Sequence, residues 1–367
     1  MQNDVCLAMQ FHDLVIGRRR GLGPVLARAG LAAASVPYGA AVRLRNRLFD
    51  VGWKAQHRAR VPVVSVGNLT LGGTGKTPCV EYLARIYRNR GVQVAILSRG
   101  YGGSDGPNDE ALVLEENLPD VPHLQGTDRV ALAGVAVEEL EAELLILDDG
   151  FQHRRLHRDL DVVLLDATDP FGQGRMFPRG LLREPPSSLR RAGAVLMTRC
   201  DQVSESAVND LIQYARTVAP GRPVVTTTHA PVAWIQHDRA DQPVDALRRR
   251  PAAAFCGIGN PKAFQRTLRD VGVDLIAVRT FPDHHAYTRA DVEDLRNWAR
   301  QQPADAALVT TQKDLVKLRI DRIGERDLLA MRIGLNVRAG PDADDFHRQL
   351  ALIPSPLGGE GTSMDGS

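Results

Sequence analysis

The run Ser65-Val66-Gly67-Asn68-Leu69-Thr70-Leu71-Gly72-Gly73-Thr74-Gly75-Lys76-Thr77 lies between a β-branched apolar segment at 61–66 and a helical pattern near 77–90. That strand-loop-helix order decides the fold. Closely spaced glycines let successive backbone N–H groups converge on phosphate oxygens, and the helix N-terminus adds partial positive charge. Lys76 has the reach for β- and γ-phosphates, and Thr77 offers the hydroxyl that a Mg²⁺ ion takes in such loops. Gly72, Gly73, Thr74 and Gly75, with Lys76 and Thr77, are therefore expected to bind a nucleotide. The run departs from GxxxxGK[ST] in one place, since Thr70 stands where the first glycine belongs. Lysine is scarce here, five among 46 basic residues, which makes Lys76 less easily incidental.

Outward from the loop, short β-branched runs alternate with helical segments, the pattern of a parallel sheet with crossover helices. Strands are expected at 61–66, 92–97, 144–147, 162–165 and 194–198, with helices near 77–90, 128–140 and 204–217. A second set follows Pro223: strands at 224–228, 252–256, 275–278, 307–311 and 328–335, with helices at 261–271 and 289–300. The fold class is α/β, a P-loop NTPase-like three-layer domain with a mostly parallel sheet plus a second, smaller α/β domain. Pro, Gly and Pro within 219–223 mark the expected boundary. Four segments result: 1–60, basic and amphipathic; 61–221, the phosphate-loop domain; 222–340, a second domain that closes the cleft; and 341–367, a C-terminal segment with a disordered tail.

Composition narrows the partners. Apolar residues make up 43% and charged residues 25%, with net charge +2 and aromatics at 5%. Neither a basic field nor stacking platforms for nucleic acid are present. Four dispersed cysteines form no CxxC pair and suggest neither a disulfide framework nor a zinc knuckle. Asp4, His12 and Asp13 interrupt any signal-peptide core, so export is not expected. The uncharged stretch 29–42 holds 14 residues, including Pro37, and is expected to be too short to span a bilayer. From Arg18 to Arg60 there are ten Lys/Arg against Asp50 alone, interleaved with Leu22, Val25, Leu26, Leu31, Val36, Leu44 and Trp53. This reads either as a helix lying in an anionic membrane surface or as one packed on the protein's own core with a solvated arginine face.

Downstream, Glu143-Leu144-Leu145-Ile146-Leu147-Asp148-Asp149-Gly150 is an apolar run ending in two acids. A Walker B strand takes this form when its terminal carboxylate holds the Mg²⁺ shell. Loop and acidic pair together leave two reaction classes open, a nucleotide-driven switch and a kinase.

Several blocks then occur in order: GNLTLGGTGKTP at 67–78, LSRGYGG at 97–103, LDDGFQHRRLHRDLDVVLLD at 147–166, FGQGRMFPRGLLREP at 171–185, FCGIGNPKAF at 255–264, FPDHHAYT at 281–288 and VTTQKDLVKL at 309–318. In this combination the chain resembles the tetraacyldisaccharide 4'-kinases, the lipid A 4'-kinases of Gram-negative-type bacteria, over roughly 37–346. The family's loop shares the displaced glycine.

The resemblance implies transfer of the ATP γ-phosphate to the 4'-hydroxyl of a tetraacyldisaccharide 1-phosphate. The product would be lipid IVA, made by a monomer at the cytoplasmic face of the inner membrane with Mg²⁺ as the metal. It assigns proton transfer to Asp109, in Pro107-Asn108-Asp109-Glu110, assisted by His284 of the FPDH block; Asn108 replaces the family's glycine. These residues, with Lys76 and Asp149, are the expected catalytic groups, and they are expected to converge across the domain cleft. Thr77, Asp148 and Glu184 are the expected metal set. Arg99, Tyr101, Arg154 and Arg155 are candidates for the glycolipid acceptor, though a solvated basic face accounts for the arginines equally well. The alternative class is a membrane-targeted P-loop ATPase switch that phosphorylates no lipid. Leu71 counts against it, because that class places a signature lysine there. A lipid-binding scaffold with a dead nucleotide site is disfavoured by the intact Lys76, Thr77, Asp148 and Asp149.

Overall fold

The computed structural model describes residues 14, 15, 17, 18, 20–100, 109–236 and 239–353; Tyr101 and the tail after 353 lie outside the described residues. The chain divides into two compact units.

The first unit comprises Cys6–Gly100, Leu118–Thr228 and Leu335–Ser367. Its strands are β1 (Val63–Asn68), β2 (Val94–Ser98), β3 (His123–Gln125), β4 (Leu144–Asp148), β5 (Leu160–Asp166), β6 (Ala194–Thr198) and the start of β7 (Val224–Ile235). They run parallel in the order β3-β2-β4-β1-β5-β6-β7. Strands β1, β4, β5 and β6 are buried at every position, as unbroken Val/Ile/Leu runs require when helices cover both faces. Helices Lys76–Arg88, Arg129–Glu138 and Glu205–Val218 supply crossovers. Pro341–Leu352, expected to stand apart as part of the C-terminal segment, forms a helix of this unit. It buries Phe346 and Leu350, and the Tyr87 hydroxyl donates to Leu350 O at 3.1 Å.

Helix Leu22–Asp50 runs through Pro37 for 29 residues. At about 1.5 Å per residue it is roughly 43 Å long, against a hydrocarbon core of about 30 Å. By length and composition alone it could cross a membrane, so the expectation that this region is too short does not hold. That expectation ended the segment at Arg28 and Arg43, but isolated charges do not end a helix. Gly39, Val42, Asn46 and Phe49, spaced three or four apart, form its buried stripe. The other face exposes Leu22, Leu26, Val36 and Leu44. The segment thus packs one stripe on its own unit and leaves an outer face that is apolar toward its N-terminal end and carries exposed Arg43 and Arg47 toward its C-terminal end.

The second unit comprises Tyr101–Asn117 and His229–Gly334, with Met1–Val5 outside the described residues. After the remainder of β7 come β8 (Pro251–Cys256), β9 (Asp274–Thr280), β10 (Ala307–Thr311), β11 (Arg322–Ile323) and β12 (Arg326–Val337). Parallel pairing gives β12-β10-β8-β9, and β11 pairs antiparallel with β12. Helices Pro261–Asp270 and Arg289–Arg300 cover it, the latter opened by a Thr288/Asp291 capping box. Phe255, Leu295, Leu308 and Leu328 pack on one side of these strands, and Trp234, Leu268 and Val309 in a separate cluster.

The division is not linear along the chain. Ala219–Pro223 is only the turn between a helix and β7, and the change of unit falls inside β7 at Thr228/His229. Helix Asp109–Asn117 belongs to the second unit because helix Gln312–Leu318 holds it. Gln312 Nε2 donates to Asn117 Oδ1 at 2.7 Å, and Lys313 reaches Glu110 at 3.1 Å.

Candidate active site

In the first unit, the loop after β1 is shaped by its contacts. Gly75 caps helix Lys76–Arg88 at φ 88°, a left-handed conformation that costs glycine little. A Cβ on Gly67 would stand 2.6 Å from that of Phe151, so β1 and the segment after β4 approach too closely for a side chain. Asn68 Nδ2 donates to Thr74 Oγ1 at 2.9 Å, the Thr198 hydroxyl donates to Thr74 O at 2.9 Å, and Arg199 donates to Gly73 O at 2.8 Å. Arg199 is itself paired with Asp166. Because trans peptides point N–H opposite to C=O, anchoring these two carbonyls turns the amides of Thr74 and Gly75 the other way.

Lys76 and Thr77 begin the helix, Thr77 buried and Lys76 mostly so. The Lys76 ammonium lies 3.6 Å from Asp149 Oδ1. Asp148 ends β4, in register with Val66 of β1. Asp149 follows at φ 53° and receives both forks of Arg183, at 2.8 and 3.1 Å. Burial alone would raise its pKa, but Lys76 and Arg183 hold the carboxyl below the usual carboxylate range. Arg183 also donates to Gln152 Oε1 at 3.1 Å, and Gln152 donates to Asn68 O at 2.9 Å, tying the acidic pair to the loop.

Glu184 does not fit its expected place in the metal set. It is 1% exposed. Oε2 accepts from Asn46 Nδ2 at 2.7 Å and from Arg191 at 2.9 Å, and Oε1 accepts from Arg191 at 3.2 Å. Both oxygens are thus committed to holding helix Leu22–Asp50 and the turn at Pro186–Arg191. Burial opposes ionisation, yet Arg191 keeps the carboxyl below its ordinary value. Arg154 is likewise no surface anchor: it is buried, donates to Asn46 O and Asp50 Oδ1, and lies over the Phe49 ring at 5.1 Å. Arg99 and Arg155 are exposed, Arg155 3.6 Å from Asp128. Tyr101 lies outside the described residues.

In the second unit, Asp109 opens helix Asp109–Asn117, and His284 sits at φ 56° after Asp283. His284 Nδ1 lies 3.0 Å from Asp109 Oδ2. The two therefore meet inside one unit, whereas they were expected to come from separate domains, because helix 109–117 crosses to the second unit. Their hydrogen bond is the main cause of a raised His284 pKa, opposed by burial. Burial pushes Asp109 up, but His284 and Lys317, whose ammonium is 3.3 Å away, outweigh it and hold the carboxyl below its usual range.

Arg183, Arg199 and Lys317 were not singled out from the sequence. Arg183 and Lys317 lie inside quoted blocks, LLREP and DLVKL, and a charge adjoining a known motif was the available signal. For Arg199, only its place at the end of β6 could have served. Among the described residues, no group of three or more His, Cys, Asp or Glu is arranged to hold a metal.

The family model Tetraacyldisaccharide-1-P 4'-kinase matches residues 27–352. A tetraacyldisaccharide 4'-kinase of Anaeromyxobacter sp. (strain Fw109-5) is 42% identical over 344 residues, 89% of this chain and 92% of that one. Its counterpart from Geobacter metallireducens is 43% identical over 311 residues, 80% of this chain and 89% of that one. Among solved structures, LpxK from Aquifex aeolicus in complex with ATP is 30% identical, with a TM-score of 0.70 over 89% of this chain and 99% of that one. A match running from the apolar N-terminal helix into the last helix, with the phosphate loop and acidic pair assembled between them, means that this chain belongs to the tetraacyldisaccharide-1-P 4'-kinase family.

Proposed function

We propose that this chain transfers the γ-phosphate of ATP to the 4'-hydroxyl of a tetraacyldisaccharide 1-phosphate. The observation that carries this is a braced GGTGKT loop ending in Lys76, whose ammonium is held beside the Arg183-anchored Asp149 where phosphate charge would develop. In the transfer, the acceptor oxygen–phosphorus bond forms, the bond from Pγ to the β–γ bridging oxygen breaks, ADP leaves, and the hydroxyl proton passes to the Asp109–His284 pair. Lys76 trades its contact with Asp149 for phosphate oxygens. Arg183 remains to hold Asp149 in place.

Thr77 and Asp148 suit a divalent cation, being a hydroxyl and a carboxylate of the hard-oxygen class that Mg²⁺ prefers, with nucleotide phosphates completing the shell. When bound, the ion would neutralise charge on the β- and γ-phosphates. Glu184 is left out of this set, since Arg191 and Asn46 occupy it.

The acceptor is a lipid, and the helix Leu22–Asp50 is our candidate for meeting it at the cytoplasmic membrane surface. Supporting this are its exposed leucines and an adjoining groove of about 290 Å³ formed by Ala32, Val36, Gly39 and Met176 and edged by Arg175 and Arg179. The test is γ-labelled ATP, Mg²⁺ and a tetraacyldisaccharide 1-phosphate in detergent micelles, followed by chromatography of the lipid. Label in the lipid is expected. Label appearing only as free phosphate would overturn the proposal in favour of an ATPase switch.

A further inference from the structure

Helix Gln312–Leu318 is only seven residues long, yet its polar side chains make much of the second unit's internal wiring. Its Asp314 is completely buried. Oδ2 of Asp314 accepts the Gly257 N–H at 3.1 Å and the Thr311 hydroxyl at 2.6 Å, while Oδ1 accepts the Tyr287 hydroxyl at 3.0 Å. Burial holds the Tyr287 phenol far above its ordinary pKa, so it stays a neutral donor. A carboxylate fixed by three donors is a rigid anchor. Lys317 Nζ lies 3.4 Å from Asp314 Oδ1 and 3.3 Å from Asp109 Oδ2, with its side chain 10% exposed.

We propose that Lys317 is a positioning residue for the transfer reaction: anchored by Asp314, it fixes the Asp109 carboxylate against His284 and sets the proton affinity of that pair. This rests on the reading above that Asp109 and His284 receive the hydroxyl proton. Lys317 and His284 Nδ1 both approach Oδ2 of Asp109, so the lysine fixes the oxygen that orients the imidazole. One turn earlier, Lys313 holds Glu110, so the two lysines clamp the first turn of helix Asp109–Asn117. Among the described residues, Asp283 also faces the pair, its Oδ2 3.9 Å from His284 Nε2. Asp109, Asp283 and Asp314 all favour a protonated imidazole. Lys317 and Lys313 oppose it. Removing Lys317 therefore makes the pair hold its proton more tightly and narrows the pH range in which it can accept one.

The experiment replaces Lys317 with Met and with Gln, and with Arg as the charge-conserving control, in the full chain. Two readouts are taken: the His284 ring titration by NMR, which needs no substrate, and the pH profile of kcat for lipid phosphorylation. In K317M the His284 midpoint and the ascending limb of kcat are both expected to move up by about one pH unit, the size typical of a near charge. That lowers kcat about tenfold on the ascending limb at unchanged KM for ATP. K317R is expected to restore both. If K317M does not fold, K317Q carries the same expectation. An unmoved His284 midpoint in a folded charge-removing variant overturns the role of Lys317. A midpoint that moves while the kcat limb stays fixed instead overturns the assignment of proton transfer to the pair, and the positioning role falls with it.

Discussion

A double-mutant cycle on Asp109 and His284 tests the proton-transfer reading directly. Removing a positioned proton acceptor costs about 10²–10⁴ in rate, or about 2.7–5.5 kcal/mol at 1.36 kcal/mol per decade. The ground-state contact is a single charge-assisted hydrogen bond of 3.0 Å. Such bonds contribute about 1.5–3 kcal/mol, and the low end applies here: the His284 side chain is 61% exposed and solvent screens it. Two groups acting separately would lose multiplicatively, about 10⁴–10⁸ in D109N/H284A together. A pair acting as one device loses in the double variant little more than in the worse single one. The coupling energy then equals one whole single-variant loss, more than the ground-state hydrogen bond supplies. The assay is kcat at saturating ATP for label entering the lipid, with ATP affinity measured separately and expected to change little. Multiplicative losses, or an effect confined to KM for the lipid, would refute the reasoning.

In the phosphate site, Lys76→Ala and Asp148→Asn are each expected to lower kcat by about a hundredfold or more with the melting transition retained, since they remove charge rather than packing; near-normal turnover in either removes the phosphate-loop mechanism. Glu184→Ala is expected to destabilise the fold by about 3–5 kcal/mol in denaturant titration, because it strands Arg191 and Asn46 beside a buried space; a stable but Mg²⁺-insensitive variant would return Glu184 to the metal set. Glu184 has a depressed pKa, so its stabilisation is present above the ordinary glutamate value and lost as pH falls through the lower folded one. Urea midpoints of wild type should therefore drop in acid more than those of Glu184→Gln. Binding to anionic vesicles through Leu22–Asp50 is expected to weaken with added salt, since exposed charges are screened over about 8–10 Å at physiological ionic strength; salt-independent binding would make apolar insertion the main term.

Strands β6 and β10 fall at 194–198 and 307–311, as their apolar runs require, because a strand buried on both faces leaves a continuous signature. Helices Asp109–Asn117 and Gln312–Leu318 left none. The first is a short, acid-rich segment with little periodicity, and the second spans two turns, too few to establish a period of 3.6. Their mutual packing carries Asp109 into the second unit, which no local pattern could reveal. Arg154 and Arg155 are adjacent and identical in type, yet one is buried against Asp50 and Phe49 and the other is exposed. Only the direction of each side chain off the backbone separates them. Glu184, an acid before a proline, resembles a ligand until the turn at Pro186–Arg191 brings Arg191 onto it.

The two sets of carboxylates differ in the cations they face, and that difference argues for which one takes the proton. Asp149 is held by Lys76 and by both forks of Arg183, all fixed cations. Both carboxyls, Asp149 and Asp109, are held below their usual range, but the cations that hold Asp149 cannot take up a proton in its place, which suits a group that orients charges around phosphate. Among the described residues, Asp109 faces one fixed cation, Lys317, and one group that can change its charge, His284. A proton arriving there settles on the imidazole and completes an ion pair with a carboxylate already in place, so the charge formed is met without rearrangement. Were Asp149 the base instead, protonating it would remove the charge that holds Arg183 and that places Lys76 before ATP binds. Asp149→Asn should therefore perturb ATP binding along with kcat, whereas Asp109→Asn should leave ATP affinity nearly unchanged; the reverse pattern in isothermal titration would move the base to Asp149.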